Sequence, residues 1–97
     1  AKLKRLDSKG CFKILLDRDE NNIVALYYPS YKADKCSLII KGKEAEDIYR
    51  TIIDLGLVSL YDHVAYLGSE LQKAQIALNT GKSYLQDTPL FSQTFTS

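Results

Sequence analysis

Five polar residues in the second half of the chain have types and spacings that could do chemistry. Four of them recur at steps of four, four and three residues, which places them on one face of a helix: Asp62, Tyr66, Glu70 and Lys73. The fifth, His63, lies beside Tyr66. Two acids, an imidazole, a phenol and an ammonium group on adjacent strips could transfer protons or hold a polar heterocycle. These five residues form a candidate ligand-binding strip, and no catalytic residue is assigned.

The same strip also has a structural interpretation, and the residue types favour it. Asp62 completes a Ser59-x-x-Asp62 pattern, a capping box with Asp in place of Glu at a helix start. Glu70 and Lys73 have the i,i+3 spacing of a helical ion pair. Tyr66 could simply cover the edge of a sheet. We therefore expect a mainly structural strip, with ligand binding as the alternative.

Gly68 lies in the middle of the same predicted helix, where glycine costs about 1 kcal/mol relative to alanine. We expect a compensating close approach by another backbone, from a strand or from the first helix. Overpacking typically costs about 1–3 kcal/mol, so Gly68→Ala is predicted to destabilise the domain. In the alternative interpretation, the missing side chain leaves a gap for a ligand or a partner chain.

Three predicted strands and two predicted helices must position these residues. Residues 10–16 and 23–28 read as strands joined by a polar turn, and Pro29 ends the second. Residues 36–40 form a third strand, closed by Gly42. The turn residues Asp17-Arg18-Asp19-Glu20 lack the ligand spacing of a calcium loop, so we interpret them as solvated.

From residue 44 the apolar period changes to that of helices. Gly56 follows the first apolar stripe and Gly81 follows the second, and each is predicted to end its helix because glycine readily adopts the left-handed conformation found there. The first stripe consists of Ala45, Ile48, Ile52 and Leu55, and the second of Val64, Leu67, Leu71, Ala74 and Leu78. Residues 83–86 could add a short strand. The order β-β-β-α-α-β predicts an α+β domain, a small, mostly antiparallel sheet with two helices packed on one face.

Length and charge restrict the organisation and the class of partner. The 97 residues suit one domain at 10–87, between a flexible basic segment at 1–9 and a loose tail at 88–97. A net charge of +1 provides no field that would attract nucleic acid or an anionic membrane. No apolar run is long enough for a membrane span, and the start of the chain lacks the apolar region of a signal peptide. We expect a cytoplasmic protein.

Cysteine and histidine usage argues against a metal site. One histidine and two widely separated cysteines, Cys11 and Cys36, do not make a ligand set, and we interpret both cysteines as reduced, packed thiols. A disulfide between them stays open, because both could lie in neighbouring strands. The chain contains no nucleotide-binding glycine loop, zinc-protease motif or nucleophile elbow, so no cofactor is expected.

The second helix carries a long motif that resembles a known family. Residues 62–78, DHVAYLGSELQKAQIAL, and the closing 84–87, YLQD, are similar to the D-H-A-A-Y-L-G-R-E-L-x-K-A-E-x-A-L and Y-x-Q-D patterns of the DUF4346 domain. Residues 7–12 resemble its D-P-x-G-x-F opening, and 16–18 its L-D-R. The resemblance covers about residues 6–87. The chain departs from it at Ser8, Val64, Ser69 and Gln75, and the last two replace an Arg and a Glu, which weakens a catalytic interpretation.

The resemblance implies a domain at the C-terminus of archaeal dihydropteroate synthase-like and related pterin or one-carbon proteins. Its partner would be an upstream pterin-binding domain of the same chain, and a homo-oligomer is possible. The first hypothesis is a non-catalytic accessory domain for docking, assembly or substrate positioning. The alternative is a module that binds a reduced pterin or one-carbon carrier through the helix strip. Enzymatic activity stays open, since the parent protein could be a transferase.

Overall fold

The computed structural model of the chain describes residues 10–29, 34–58 and 61–87, without the side chains of 61–63. The segments expected at 1–9 and 88–97, and Ser59 of the expected capping box, lie outside the described residues. The elements are β1 (Cys11–Asp17), β2 (Asn22–Tyr28), β3 (Leu38–Gly42), α1 (Ala45–Asp54) and α2 (Tyr61–Thr80). These five agree with the sequence-based expectation in type and order.

The three strands form one antiparallel sheet in the order β1-β2-β3. Phe12 pairs with Tyr27 across the first two strands, and Ala25 pairs with Ile40 across the second and third. Alternate residues point to one face because the side-chain period of a strand is two. The face that carries Phe12, Ala25 and Tyr27 is buried, and it holds the core.

Both helices cover this face. α2 packs over β1 and β2, and α1 packs over β3 and against α2. The shared core consists of Phe12, Ile14, Ile23, Ala25 and Tyr27 from the sheet, Ala45, Ile48, Ile52, Leu67, Leu71, Ala74 and Leu78 from the helices, and Leu57 and Val58 from the connection after α1. The helical stripes read from the sequence are the buried faces except at two positions: Leu55 is 39% exposed, so its expected place in the core is wrong, and Val64 is only partly buried. Leu55 lies at the C-terminal end of α1, past the last turn that packs on the core. Neither described helix is long and apolar enough to cross a membrane.

Glycine ends both helices, as predicted. Gly56 has φ 73° and Gly81 has φ 76°, a left-handed conformation that glycine adopts without strain. The residue after each glycine donates its backbone N–H to a carbonyl in the last helical turn, Leu57 to Ile52 O at 3.3 Å and Lys82 to Ala77 O at 3.1 Å. This is the hydrogen-bond pattern of a Schellman motif. Both stops confirm the positions read from the sequence.

The α+β class is confirmed, but the prediction of a fourth strand at residues 83–86 is wrong. Residues 83–86 form no strand in the described chain, and the sheet contains three strands. The segment nevertheless lies along the free edge of β1. The side-chain amide of Gln86, rather than a backbone amide, occupies the pairing positions there. A period-two pattern cannot distinguish these two ways of closing an edge.

Candidate functional site

Glu70 is the only charged side chain that is buried among the described residues, with 1% of its surface exposed. It lies on α2 between Leu67 and Leu71, which are both in the core. The sequence placed Glu70 on a polar face, whereas the structure turns it inward. Burying a charge is costly unless partners satisfy it. The site is therefore defined by the groups that surround this carboxylate.

Both oxygens of Glu70 accept a hydrogen bond from a side chain of this domain. The Tyr84 hydroxyl donates to Glu70 Oε1 at 2.7 Å, and the Lys73 ammonium donates to Glu70 Oε2 at 3.0 Å. Lys73 also donates to Asp87 Oδ2 at 2.8 Å. We call Glu70, Lys73, Tyr84 and Asp87 the carboxylate clasp, because they tie the segment after α2 back onto the helix. The i,i+3 pair of Glu70 and Lys73 confirms the structural interpretation of that spacing.

The clasp holds its two proton donors in their protonated forms. Burial, and then the hydrogen bond to Glu70, raise the pKa of Tyr84 well above its ordinary value. Hydrogen bonds to Asp87 and to Glu70 raise the pKa of Lys73. Neither group can accept a proton near neutral pH. The clasp is thus built for holding a segment rather than for general base catalysis at Tyr84 or Lys73.

This arrangement predicts the alkaline behaviour of a Tyr84→Phe variant. The pKa of Tyr84 is raised in the folded state, so the stability that it contributes is complete below its unfolded value of about 10 and is lost above it. At neutral pH we expect Tyr84→Phe to lower the free energy of unfolding by about 1 kcal/mol. Urea unfolding from neutral pH to about pH 11 should show this difference shrinking above about pH 10. Other titrating groups are common to both proteins, so a constant difference would contradict the prediction.

Gln86 closes the free edge of β1. Its side-chain oxygen accepts a hydrogen bond from the Ile14 backbone N–H at 2.8 Å, and its Nε2 donates to the Phe12 carbonyl at 3.0 Å. The amide therefore acts as one peptide unit of a neighbouring strand. With Tyr84 and Asp87 in the clasp, three residues of the YLQD segment bind inside the domain. Sequence reasoning placed this segment in the family motif but did not assign these partners.

Two further residues in the region of the motif also bind backbone groups. Arg18, in the turn after β1, donates through its guanidinium to the carbonyls of Ala77 and Lys82 at the end of α2, where the helix dipole favours a cation. Gln75, at a position where the family pattern has Glu, accepts from the Ala45 N–H at 2.6 Å and donates to the Lys43 carbonyl at 3.0 Å. Gln75 thus caps the start of α1, and a carboxylate could not make the second bond.

The remaining members of the predicted strip are only partly placed. Tyr66 is half-buried and packs against the core. The side chains of Asp62 and His63 lie outside the described residues, so their role in ligand binding stays a prediction. Among the described residues, no group of three His, Cys, Asp or Glu side chains could hold a metal ion. Cys11 is buried, Cys36 is half-buried, and no disulfide joins them.

Gly68 faces the first helix, but its neighbour is a side chain rather than a backbone. A Cβ built on Gly68 would lie 3.4 Å from Tyr49 Cε1, which is ordinary van der Waals contact. The missing side chain borders a shallow surface groove of about 240 Å³, lined by Glu46, Tyr49 and Gln72. The steric reason for the expected destabilisation is therefore absent from the structure.

We accordingly expect Gly68→Ala to stabilise the domain. Alanine should gain up to about 1 kcal/mol of helix propensity, and the Tyr49 ring already leaves room for a methyl group. The urea midpoint should rise in the variant. A lower midpoint would contradict this expectation and would indicate that a methyl group at Gly68 overpacks the helix contact.

Comparison with known proteins adds the family. Residues 6–87 match the family model PterinBD-DUF4346. The uncharacterized protein MJ0107 of Methanocaldococcus jannaschii is 46% identical over 88 residues, which cover 91% of this chain. The uncharacterized protein ycf91 of Porphyra purpurea is 31% identical over 86 residues, 84% of this chain and 71% of that protein. No solved structure matches the chain.

The two relatives differ in how much of them this chain covers. It spans 16% of the length of the archaeal relative, so most of that protein lies outside the match. The residues matched by the family model end at Asp87, the last member of the carboxylate clasp. They include Arg18, Gln75 and the YLQD segment, whose contacts were described above. The chain therefore belongs to the PterinBD-DUF4346 family.

Proposed function

We propose that this chain is a non-catalytic accessory domain of a pterin or one-carbon pathway protein, and that it serves docking, assembly or substrate positioning. The observation that carries the proposal is the carboxylate clasp. Glu70, the one buried charged side chain among the described residues, accepts hydrogen bonds from Tyr84 and Lys73 at its two oxygens. The polar groups that could have transferred protons instead stabilise the fold.

Three further polar residues within the matched region also make internal contacts. Arg18, Gln75 and Gln86 bind backbone groups of this domain. In the described part of the chain, every buried polar side-chain atom has a partner. A motif used mainly for internal contacts is expected of a domain whose task is to present a surface.

The family description and the relatives support the context of the proposal. The family name pairs DUF4346 with a pterin-binding domain. The archaeal relative is about six times longer than the matched segment, as the 16% coverage implies. We infer a cytoplasmic archaeal parent of the dihydropteroate synthase-like kind, with this domain at its C-terminus and a pterin-binding domain upstream as its partner.

The alternative is a reduced-pterin module that uses Asp62, His63, Tyr66, Glu70 and Lys73. In that case the carboxylates and the phenol would pair with the ring nitrogens and the amide of the pterin. Glu70 is 1% exposed and already accepts hydrogen bonds from Tyr84 and Lys73, so a pterin would have to reach a buried carboxylate past these two partners. This burial supports the accessory role.

Calorimetric titration of the 97-residue chain separates the two functions. With a reduced pterin at up to millimolar concentration, we expect no heat beyond dilution, and no turnover of a pterin pyrophosphate with an aminobenzoate. Heat that is lost in His63→Ala but kept in the control Asn79→Ala, on the same helix, would favour the alternative. Turnover clearly above background would overturn the non-catalytic assignment.

A second measurement tests the accessory role directly. The segment matching this chain is deleted from the archaeal relative, and pterin binding and assembly state are compared with those of the full protein. We expect the remainder to keep pterin binding and to change its assembly or turnover. Loss of pterin binding in a remainder that is still folded would contradict the proposal.

A further inference from the structure

We propose that two copies of this chain pair through the free edge of β3, so that their sheets join into one antiparallel sheet. The partner is a second copy of the same chain. This inference goes beyond the accessory role and does not depend on it. It starts from a difference between the two edges of the sheet.

The two edge strands are treated differently. The edge of β1 is closed, because Gln86 bonds to Ile14 N–H and Phe12 C=O. At the other edge, no described segment pairs with β3. An unpaired strand edge offers a row of N–H and C=O groups to another chain. Within the described residues, the sheet therefore has one closed edge and one open edge.

The closed edge reveals which groups of β3 point outward. The backbone groups of Phe12 and Ile14 hydrogen-bond to Gln86, on the side of β1 away from β2. Lys13 lies between them, so its backbone groups point towards β2, where it pairs with Leu26. On β2, the alternate residue Ala25 then faces β3, where it pairs with Ile40. The residues on either side of Ile40 must present their backbone groups to the free edge. These are Ile39 and Lys41.

Ile39 and Lys41 flank Ile40 and both direct their backbone groups outward, so this edge can pair with the same edge of a second copy. In an antiparallel pair with its two-fold axis at Ile40, Ile39 of each copy exchanges both backbone hydrogen bonds with Lys41 of the other copy. A register centred on Lys41 would instead place the two ammonium groups directly opposite, which is unfavourable. A register centred on Ile39 would pair Lys41 with residue 37, which precedes β3. The axis at Ile40 thus keeps the most bonds and separates the charges.

Exposed apolar side chains accompany this edge. Leu38 and Ile39 on β3 are 36% and 55% exposed, and Ile53 and Leu55 at the end of α1 are 36% and 39% exposed. α1 packs against β3 and follows it through a short connection, so the helix returns towards the start of the strand. On β3, Leu38 lies on the helix-covered face with Ile40, and Ile39 lies on the opposite face. Apolar groups beside an open edge supply burial that backbone bonds alone do not.

Sedimentation equilibrium of the full chain tests the pairing. From micromolar to near-millimolar concentration, we expect the mass to rise from 11.0 kDa towards twice that value. Ile39→Pro removes an outward N–H but no bond to β2, so this variant should stay folded and monomeric. Ile39→Val keeps the N–H and should still dimerise. Circular dichroism verifies that both variants are folded.

Disulfide trapping tests the register without relying on the proline variant. In a Cys36→Ser background, Ile40→Cys should form an interchain disulfide under mild oxidation. Opposite residues in such a pair lie about 4.5 Å apart at Cα, within the range of about 4.4–6.8 Å that a disulfide spans. Lys41→Cys is the matched control, because its two copies lie diagonally, about 7–8 Å apart, and should stay largely reduced.

Three outcomes of these two experiments decide whether the copies pair through β3. A mass of 11.0 kDa at all concentrations would overturn the proposal. So would a dimer that survives Ile39→Pro and traps Lys41→Cys better than Ile40→Cys, since it would use another surface or register. Concentration-dependent dimers that are lost in Ile39→Pro and trapped through Ile40→Cys support it.

Discussion

Replacing Gly10 with alanine should lower the free energy of unfolding by about 3 kcal/mol, through overpacking that nothing nearby can relieve. Gly10 is buried just before β1. A Cβ there would lie 2.5 Å from the Tyr28 carbonyl oxygen and 2.6 Å from Tyr27 Cε1. Tyr28 is fixed by its pairing with Cys11, and the Tyr27 ring packs on Phe12 with ring centroids 5.1 Å apart.

The measurement is the urea midpoint of the variant against the parent. Gly68→Ala is the matched control, because it is the same chemical change at a glycine with room for a methyl group. The two substitutions should move the midpoint in opposite directions. A loss of stability below about 1 kcal/mol in Gly10→Ala would show that the strand start can shift, and would contradict the prediction.

The second large effect is expected at Glu70. Glu70→Ala should cost about 3 kcal/mol, because it leaves a cavity and removes the acceptor of the Tyr84 hydroxyl. Glu46→Ala is the matched control, since Glu46 pairs with Arg50 at 2.9 Å on the surface, with both side chains about two-thirds exposed. An exposed pair of this kind contributes about 0.5 kcal/mol or less.

A double-mutant cycle assigns the Glu70 effect to the clasp. Tyr84→Phe combined with Glu70→Ala should cost less than the sum of the single changes, with a coupling of about 1 kcal/mol. Urea unfolding of the four proteins measures it. Equal costs for Glu70→Ala and Glu46→Ala, or strict additivity with Tyr84→Phe, would mean that the clasp does not stabilise the fold.

Much of the fold follows from local pattern. The strand periods, the helical stripes and the glycine stops at Gly56 and Gly81 all depend on neighbouring residues, so the sequence is sufficient to place them. Residues 83–86 are different, because their pairing to β1 depends on how the chain turns after α2. An amide side chain and a backbone amide offer the same donor and acceptor, so pattern alone could not identify Gln86 as the closing group.

The candidate site was predictable only where its contacts are local. The Glu70–Lys73 pair follows from helical spacing, whereas Tyr84 and Asp87 join it from 14 residues away. A glutamate in a helix is usually exposed, so its residue type predicted a polar face and missed its burial. For Gly68, the first helix was one of the two expected neighbours, but its nearest atom belongs to the Tyr49 ring rather than to a backbone, and the ring leaves room for a methyl group.

The Gln86 bond to Ile14 also has a consequence for how the domain is assembled. It joins residues 72 positions apart, so it closes almost the whole described chain into one loop. Closing a loop of that length costs more entropy than forming the β1–β2 hairpin, and non-local contacts of this kind form slowly. A ribosome releases the N-terminal hairpin first and Gln86 near the end of the domain. Until then the edge of β1 stays open to other nascent chains, and pulse-labelled hydrogen exchange should find the Ile14 amide among the last to become protected.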